Sequence, residues 1–282
     1  MSRIKVVTDS AGDIPPKLVE ELGIEIVPLS IRFGTTEYRD VTDLSVEKFW
    51  ELSETQNELP QTAAPSIEAF KAAFHKARAD GYDGVVCICL SSKLSATFQS
   101  AQKAGEEVSA EGFPVAVIDS LLATFGEGGL AVAAARNAER PLHEVAAMVQ
   151  ERAARTRILG ALDTLENLRK GGRIGAAAAT LGSILSVKPI IEVVNGEVQA
   201  HSKQRTHRRA VEFLYDMVRQ VAPNIEEISV ISAMAPDEAE FVAELRSITG
   251  KDSIMVSTIG PVIGAHTGPR TIGVCITLKP TS

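Results

Sequence analysis

Apolar positions along the chain fall into short strand-like runs separated by segments with helical spacing. Residues 4–7, 85–90 and 115–118 read as strands, and the second of these is apolar without a break, as in a strand covered on both faces. Ile67, Phe70, Ala73, Phe74 and Ala77 recur at the steps of one helix face, with Pro65 before them and Gly81 after. Residues 15–22, 46–52, 94–108 and 126–138 also read as helices, residues 24–33 as extended chain and residues 34–43 as a connection. Strand and helix in alternation predict a parallel sheet with helices on both faces.

The second half has a different rhythm. Residues 142–155 and 164–170 are helical in pattern, and Gly171-Gly172 is a helix stop. Residues 189–194 and 197–202 flank Asn195-Gly196, a pair that accepts the positive φ angles of a tight hairpin turn. A helix over 209–221, a strand over 228–232, a helix over 236–248 and strands over 254–258 and 273–278 follow. A hairpin among helices predicts a mixed sheet. The expected fold class is therefore α/β with two domains: an N-terminal parallel-sheet domain, residues 1–158, and a C-terminal domain with a mixed sheet, residues 159–282. The boundary falls near 155–162. No internal repeat or low-complexity tract is evident beyond the short alanine run 176–179.

Composition narrows the function classes. The 282 residues carry 29 Lys and Arg against 36 Asp and Glu, a net charge of −7, so no general field draws the chain to nucleic acid or an anionic membrane. The longest uncharged stretches, 174–187 and 253–269, fall short of a membrane span, and the N-terminus runs directly into a strand rather than a signal peptide. A cytoplasmic location with at most transient membrane contact is expected. Three cysteines, two of them in the apolar run 85–90, read as reduced core residues, and no zinc spacing accompanies them.

Candidate chemistry lies in the turns. Thr8-Asp9-Ser10, Ser91 to Thr97 and Asp119-Ser120 each follow a strand, so in a parallel sheet they gather at the carboxyl edge, where ligands bind and helix N-termini favour anions. Plain helix capping is the competing explanation for each. Gln61 to Ser66 is another hydroxyl-bearing loop at the start of a helix. No phosphate-binding glycine loop, nucleophile elbow or HExxH motif is present. Ser95, His266 and Asp9 are the members available for a hydrolytic triad. Residues 259–269 place three glycines and two prolines around His266, a conformationally specialised loop between two strands. Basic runs at 169–173 and 203–209 form local positive patches on an acidic chain.

Taken in order, Thr8-Asp9-Ser10, Gln61-Thr62 to Ser66, Ser91-Ser92 to Thr97, Leu162 to Ile174, Lys188-Pro189 and Gly260 to Pro269 resemble the DegV family over nearly the whole chain. The resemblance implies a two-domain α/β protein that binds a long-chain fatty acid between or beneath its domains. It further implies that Thr62 and Ser95 hydrogen-bond the carboxylate and that His266 completes the head-group network. Arg173 and Arg205 match basic positions tied in relatives to kinase interaction or phosphoryl transfer. The implied partner is a separate ATP-dependent fatty-acid kinase subunit that forms an acyl phosphate, a step in phospholipid metabolism. This chain would then be a lipid-binding, non-catalytic subunit without cofactor or metal. It departs from the family pattern at Lys93 and Ala96, where glycine is usual, and at Ala63, where serine is usual.

A fatty acid suits the physical chemistry of such a chain. Each buried methylene contributes about 0.8 kcal/mol, so ~14 of them give a gross ~11 kcal/mol before ordering costs. The carboxylate needs replacement hydrogen bonds once it leaves water. The alternatives are a stand-alone Ser/His esterase or phosphotransferase, and a lipid sensor or buffer whose partner is not a kinase.

Overall fold

The computed structural model describes residues 3–55, 59–175, 177 and 187–280. Its strands are β1 (Ile4–Asp9), β2 (Glu25–Val27), β3 (Ser30–Phe33), β4 (Thr36–Arg39), β5 (Gln61–Ala63), β6 (Gly84–Cys89), β7 (Val115–Asp119), β8 (Thr156–Ala161), β9 (Lys188–Val194), β10 (Glu197–Gln204), β11 (Ile225–Ser232), β12 (Met255–Thr258) and β13 (Ile272–Leu278). The α-helices are α1 (Pro16–Leu22), α2 (Val46–Thr55), α3 (Ile67–Ala79), α4 (Thr97–Ala110), α5 (Thr124–Ala135), α6 (Leu142–Ala154), α7 (Glu166–Lys170), α8 (His207–Val221), α9 (Glu238–Thr249) and α10 (Pro261–Thr267).

A parallel sheet of order β2-β1-β6-β7 forms the first half, as the alternating pattern requires. Period-two alternation sends Val85, Cys87 and Cys89 of β6 toward Phe70, Phe74, Ala101 and Ala104 of α3 and α4, while Val86 and Ile88 join the cluster on the other face, with Leu130, Val145 and Val149 of α5 and α6. Cys87 and Cys89 are buried free thiols whose sulfurs lie 3.7 Å apart, the same-face placement expected of residues two apart on a strand.

The second half is a six-stranded mixed sheet of order β10-β9-β8-β13-β11-β12, in which only β11 and β12 pair in parallel. Leu159, Ile190, Val230 and Val274 pack under α8 and α9. Ile158, Ile231 and Cys275 point the opposite way, into the cluster that also holds α5. Asn195 and Gly196 take φ values of +51° and +84°, the geometry of the hairpin turn that their identity predicts. Helix α5 lies between the two sheets, and its residues are apolar or small on nearly every side.

Several expectations need correction. Residues 24–33 are two strands in two sheets, separated by Pro28, which has no N–H for a continuous ladder. Within 34–43 lies β4, which pairs with β3 across a Gly34-Thr35 turn; its Thr-Glu-Tyr-Arg sequence is mostly exposed and carries no apolar signal. Thr62 sits on β5, a short strand beside β3, rather than in a loop. The pattern also misses β8, a central strand of the mixed sheet, because Gly160 and Arg157 interrupt its apolar run; it spans the position 158/159 at which the sequence divides the domains. Residues 94–96 precede α4, which starts at Thr97. The alanine run 176–179 and most of the uncharged stretch 174–187 lie outside the described residues. Among the described residues no helix is long and apolar enough to cross a membrane.

Candidate functional site

The two sheets enclose a cavity at the carboxyl edge of the parallel sheet. The space open to the centre of a water-sized sphere is about 180 Å³, well beyond the ~10–15 Å³ that one water needs. From the parallel half, Leu29, Leu90 and Ala123 line it; from the mixed sheet, Ile158, Ile191 and Ile231 do so. Val262 and Ile263 of α10 close a further side. The wall is thus mostly aliphatic, as the low aromatic content suggests.

Polar groups gather at one end. Helix α10 replaces the loop expected at 259–269: Gly260 caps it, Pro261 stands in its first turn and Gly268, at φ +79°, ends it. His266 is therefore on the last turn of a helix, with Nε2 2.9 Å from Thr62 Oγ1. Ser95 precedes α4, its hydroxyl 2.8 Å from that of Thr97. Arg173 follows the Gly171-Gly172 turn after α7, donating from Nε to the Leu94 carbonyl and from a terminal nitrogen to that of Gly171. Thr62, Ser95, His266 and Arg173 all line the cavity, so four of the five sequence-predicted residues come together. Arg205 does not line it; it is exposed between β10 and α8.

Burial, and then the nearby Arg173 charge, push the His266 pKa down to about 4, so the ring is neutral at pH 7. Its Nδ1 is buried without a hydrogen-bond partner. On the outer side of the same three residues, Thr62, His266 and Arg173, lies a second, polar pocket, lined also by Gln61, Asn167 and Lys170. Lys170 belongs to the basic run 169–173 that the sequence displays, whereas Asn167 carries no sequence signal beyond membership of the 162–174 motif.

Gly171 is also more than a helix stop. A Cβ there would stand 2.5 Å from His266 Nδ1 and 3.0 Å from the Asn167 carbonyl oxygen. Gly171→Ala is expected to displace the His266 ring and break its bond to Thr62, while adding less to the effect of His266→Ala in the double variant than it costs alone. Thermal melts of the four proteins, with the His266 ring signals in NMR spectra of the wild type and Gly171→Ala, check this; fully additive melting shifts and an unmoved ring would refute it.

The hydroxyl turns serve mainly internal bonds. Asp9 accepts from the amides of Ala11 and Leu90, Asp119 from those of Ser92 and Leu121, and Ser91 donates to the Gly196 carbonyl oxygen. Capping thus accounts for Asp9, Asp119 instead braces the turns around Ser92 and Leu121, and among the described hydrogen bonds neither Asp9 nor Ser95 reaches His266. The triad Ser95, His266 and Asp9 is not assembled. Among the described residues no three His, Cys, Asp or Glu side chains form a metal site.

Fold and cavity define a two-domain α/β protein built round a mostly apolar cavity with one polar end. The family model described as "Uncharacterised protein, DegV family" matches residues 3–279, and the chain belongs to that family. A DegV domain-containing protein of Streptomyces coelicolor is 35% identical, the match covering 99% of this chain and 100% of the relative. A solved DegV family protein from Thermus thermophilus, described by its fatty-acid binding, superposes with a TM-score of 0.87 at 30% identity, covering 98% of this chain and 99% of that one. DegV from Bacillus subtilis, described as a fatty acid binding protein, gives 0.88 at 31% identity over 99% and 100% of the two chains. A stearic-acid-binding protein from Eubacterium ventriosum gives 0.89 at 28% identity over 99% of each chain.

Proposed function

We propose that the protein binds a long-chain fatty acid, its tail in the apolar cavity and its carboxylate at Thr62 and Ser95, with His266 beside them. The observation that carries this reading is the position of the Thr62–His266 pair at the polar end of an otherwise aliphatic chamber. A neutral His266 donating from Nε2 to Thr62 Oγ1 leaves the threonine hydroxyl hydrogen free for the carboxylate, and Ser95 supplies a second hydroxyl. Arg173 adds positive charge without spending all its donors on protein groups. Charge-assisted bonds of this kind contribute about 1.5–3 kcal/mol each.

The outer polar pocket, with Lys170 and Arg173, gives a second protein access to the head group while the tail stays buried. This supports a role as the substrate-presenting, non-catalytic subunit of a cytoplasmic fatty-acid kinase. Arg173 would face the transferred phosphoryl group, and exposed Arg205 would face the kinase subunit. Acyl phosphate formed there enters phospholipid metabolism.

Mass spectrometry of the purified protein, native and then after denaturing extraction, is the test. One fatty acid per chain is expected, with Thr62→Val and Ser95→Ala each lowering affinity about tenfold or more. An empty protein that takes up no added fatty acid, or unchanged binding in both variants, would overturn the assignment. Turnover of an acyl ester or of ATP by the isolated chain, lost in His266→Ala, would favour the esterase or phosphotransferase reading instead.

A further inference from the structure

The cavity-facing surface of the mixed sheet has a gap in its row of aliphatic side chains. Strand register aligns Ile191, Gly160, Gly273 and Ile231 side by side on β9, β8, β13 and β11. Two isoleucines that line the cavity therefore flank two adjacent glycines, and the floor between them is bare backbone.

The two glycines have different causes. At Gly273 a Cβ would overlap the Leu159 carbonyl oxygen and lie 2.9 Å from Gly160 Cα, so close approach of the strands demands glycine. Gly160 is under no such demand. It does not have a positive φ, and a Cβ there meets its nearest neighbour, Leu162 Cδ1, at an ordinary 3.5 Å. Glycine in a strand interior is unfavourable relative to residues with side chains, and neither packing nor backbone geometry explains it here. What remains is the open cavity above it, which Gly160 lines. A strand glycine facing a chamber is where a ligand approaches the backbone closely.

We infer that Gly160 is the specificity-determining position of the tail channel: the acyl chain crosses the sheet over Gly160, between Ile191 and Ile231, and a side chain at 160 takes the space of its methylenes. This rests on the fatty-acid reading above. Each methylene excluded from burial weakens binding about fourfold. A branched side chain at 160 therefore shortens the preferred chain, whereas the head-group residues remain untouched.

The series Gly160→Ala, Gly160→Val and Gly160→Leu tests this with saturated fatty acids of ten to eighteen carbons, added to delipidated protein and followed by native mass spectrometry and thermal melts. Gly160→Leu is expected to weaken the eighteen-carbon acid at least tenfold relative to the ten-carbon acid, with Gly160→Val intermediate. Unliganded Gly160→Ala is expected to melt at or above the wild type. Should Gly160→Leu fail to fold, the alanine and valine variants decide. Folded variants with the wild-type chain preference would overturn the role of Gly160 alone. Wild-type protein that takes up none of the series would instead overturn the fatty-acid reading, and this inference with it.

Discussion

Gly128→Ala is expected to lower the melting temperature by about 10 °C or more, or to prevent folding. Gly128 of α5 packs on the 3-10 turn that follows β1, and a Cβ there would overlap the Gly12 carbonyl oxygen and stand 2.8 Å from Ile14 Cγ1. The obstacle is backbone, which does not move aside as the end of a long side chain does. From the other side, a Cβ on Gly12 would lie 3.3 Å from Gly128 Cα, so the contact is tight in both directions. Overpacking of a dense interior costs about 1–3 kcal/mol and more where main chain is displaced. In a protein of this size each kcal/mol shifts the melting temperature by roughly 2–4 °C. The next residue supplies the control. At Gly129 the nearest atoms to a Cβ belong to Phe125 at 3.7 and 3.8 Å, so Gly129→Ala is expected to stabilise α5 by about 0.5–1 kcal/mol through helix propensity. Circular-dichroism melts of both variants check the pair; a Gly128→Ala protein melting within two degrees of the wild type would show that the turn yields.

The second large effect is one of pH. Asp9, Asp40 and Glu127 are buried carboxyls with no cationic partner among the described salt bridges, and Asp13, close to them, is half-buried. Burial raises the pKa of Asp9 and of Asp40 to about 6, and holds Asp13 and Glu127 well above the ordinary carboxyl range. The Glu127 Oε1 accepts from the Thr8 hydroxyl while Oε2 lacks a partner, as does Asp40 Oδ2. With folded pKa values above unfolded ones, the native state binds more protons than the unfolded chain. The stability contributed by these groups is then fully present below about pH 4; that of Asp9 and Asp40 is lost as pH rises through about 6, and that of Asp13 and Glu127 as pH rises through their own raised values. A shift of two units corresponds to roughly 3 kcal/mol.

His266 opposes this, since its pKa falls to about 4 and its contribution is lost as pH drops from 6.5 toward 4. Asp163 and Glu226, whose pKa values are lowered by their basic partners, lose theirs only below the usual carboxylate range. Four raised carboxyls outweigh one histidine, so the protein is expected to be more stable near pH 5 than at pH 8. Glu127→Gln keeps the shape and can bond to both Thr8 and Asp9, so it is expected to raise stability at pH 8 by about 1–3 kcal/mol and flatten the profile. Urea denaturation at the two pH values measures it. A wild type more stable at pH 8, or a Glu127→Gln profile as steep as the wild type's, would contradict the argument.

How much the sequence discloses depends on where the physical signal is local. The parallel sheet was legible because β1 and β6 are buried on both faces and, with the half-buried β7, read as apolar runs between amphipathic helices. The Asn195-Gly196 hairpin was legible because its turn geometry depends on residue type alone. Strands β4 and β5 were hidden because both are short and half-exposed, and they are held by pairing with β3 rather than by their own apolar content. The sequence separates His266 from Thr62 by 204 positions, and no pattern local to either implies their 2.9 Å contact; only the family motifs put them together. Gly171 looked like an ordinary helix terminator because the residue it accommodates, His266, comes from a helix far along the chain.

Helix α5 bears on how the molecule folds as well as on its shape. Its Val132 and Leu130 belong to the same cluster as Val86 and Ile88 of the parallel sheet and as Ile158, Ile231 and Cys275 of the mixed sheet. A Cβ on Gly126 would strike the Ile158 side chain, so α5 also packs closely on β8, though there against a side chain rather than main chain. Neither sheet can lose this helix without exposing apolar surface that the other also needs. Two domains by architecture are therefore one cooperative unit: the N-terminal half lacks part of the cover for its own core helix, and autonomy of either half ends where α5 begins.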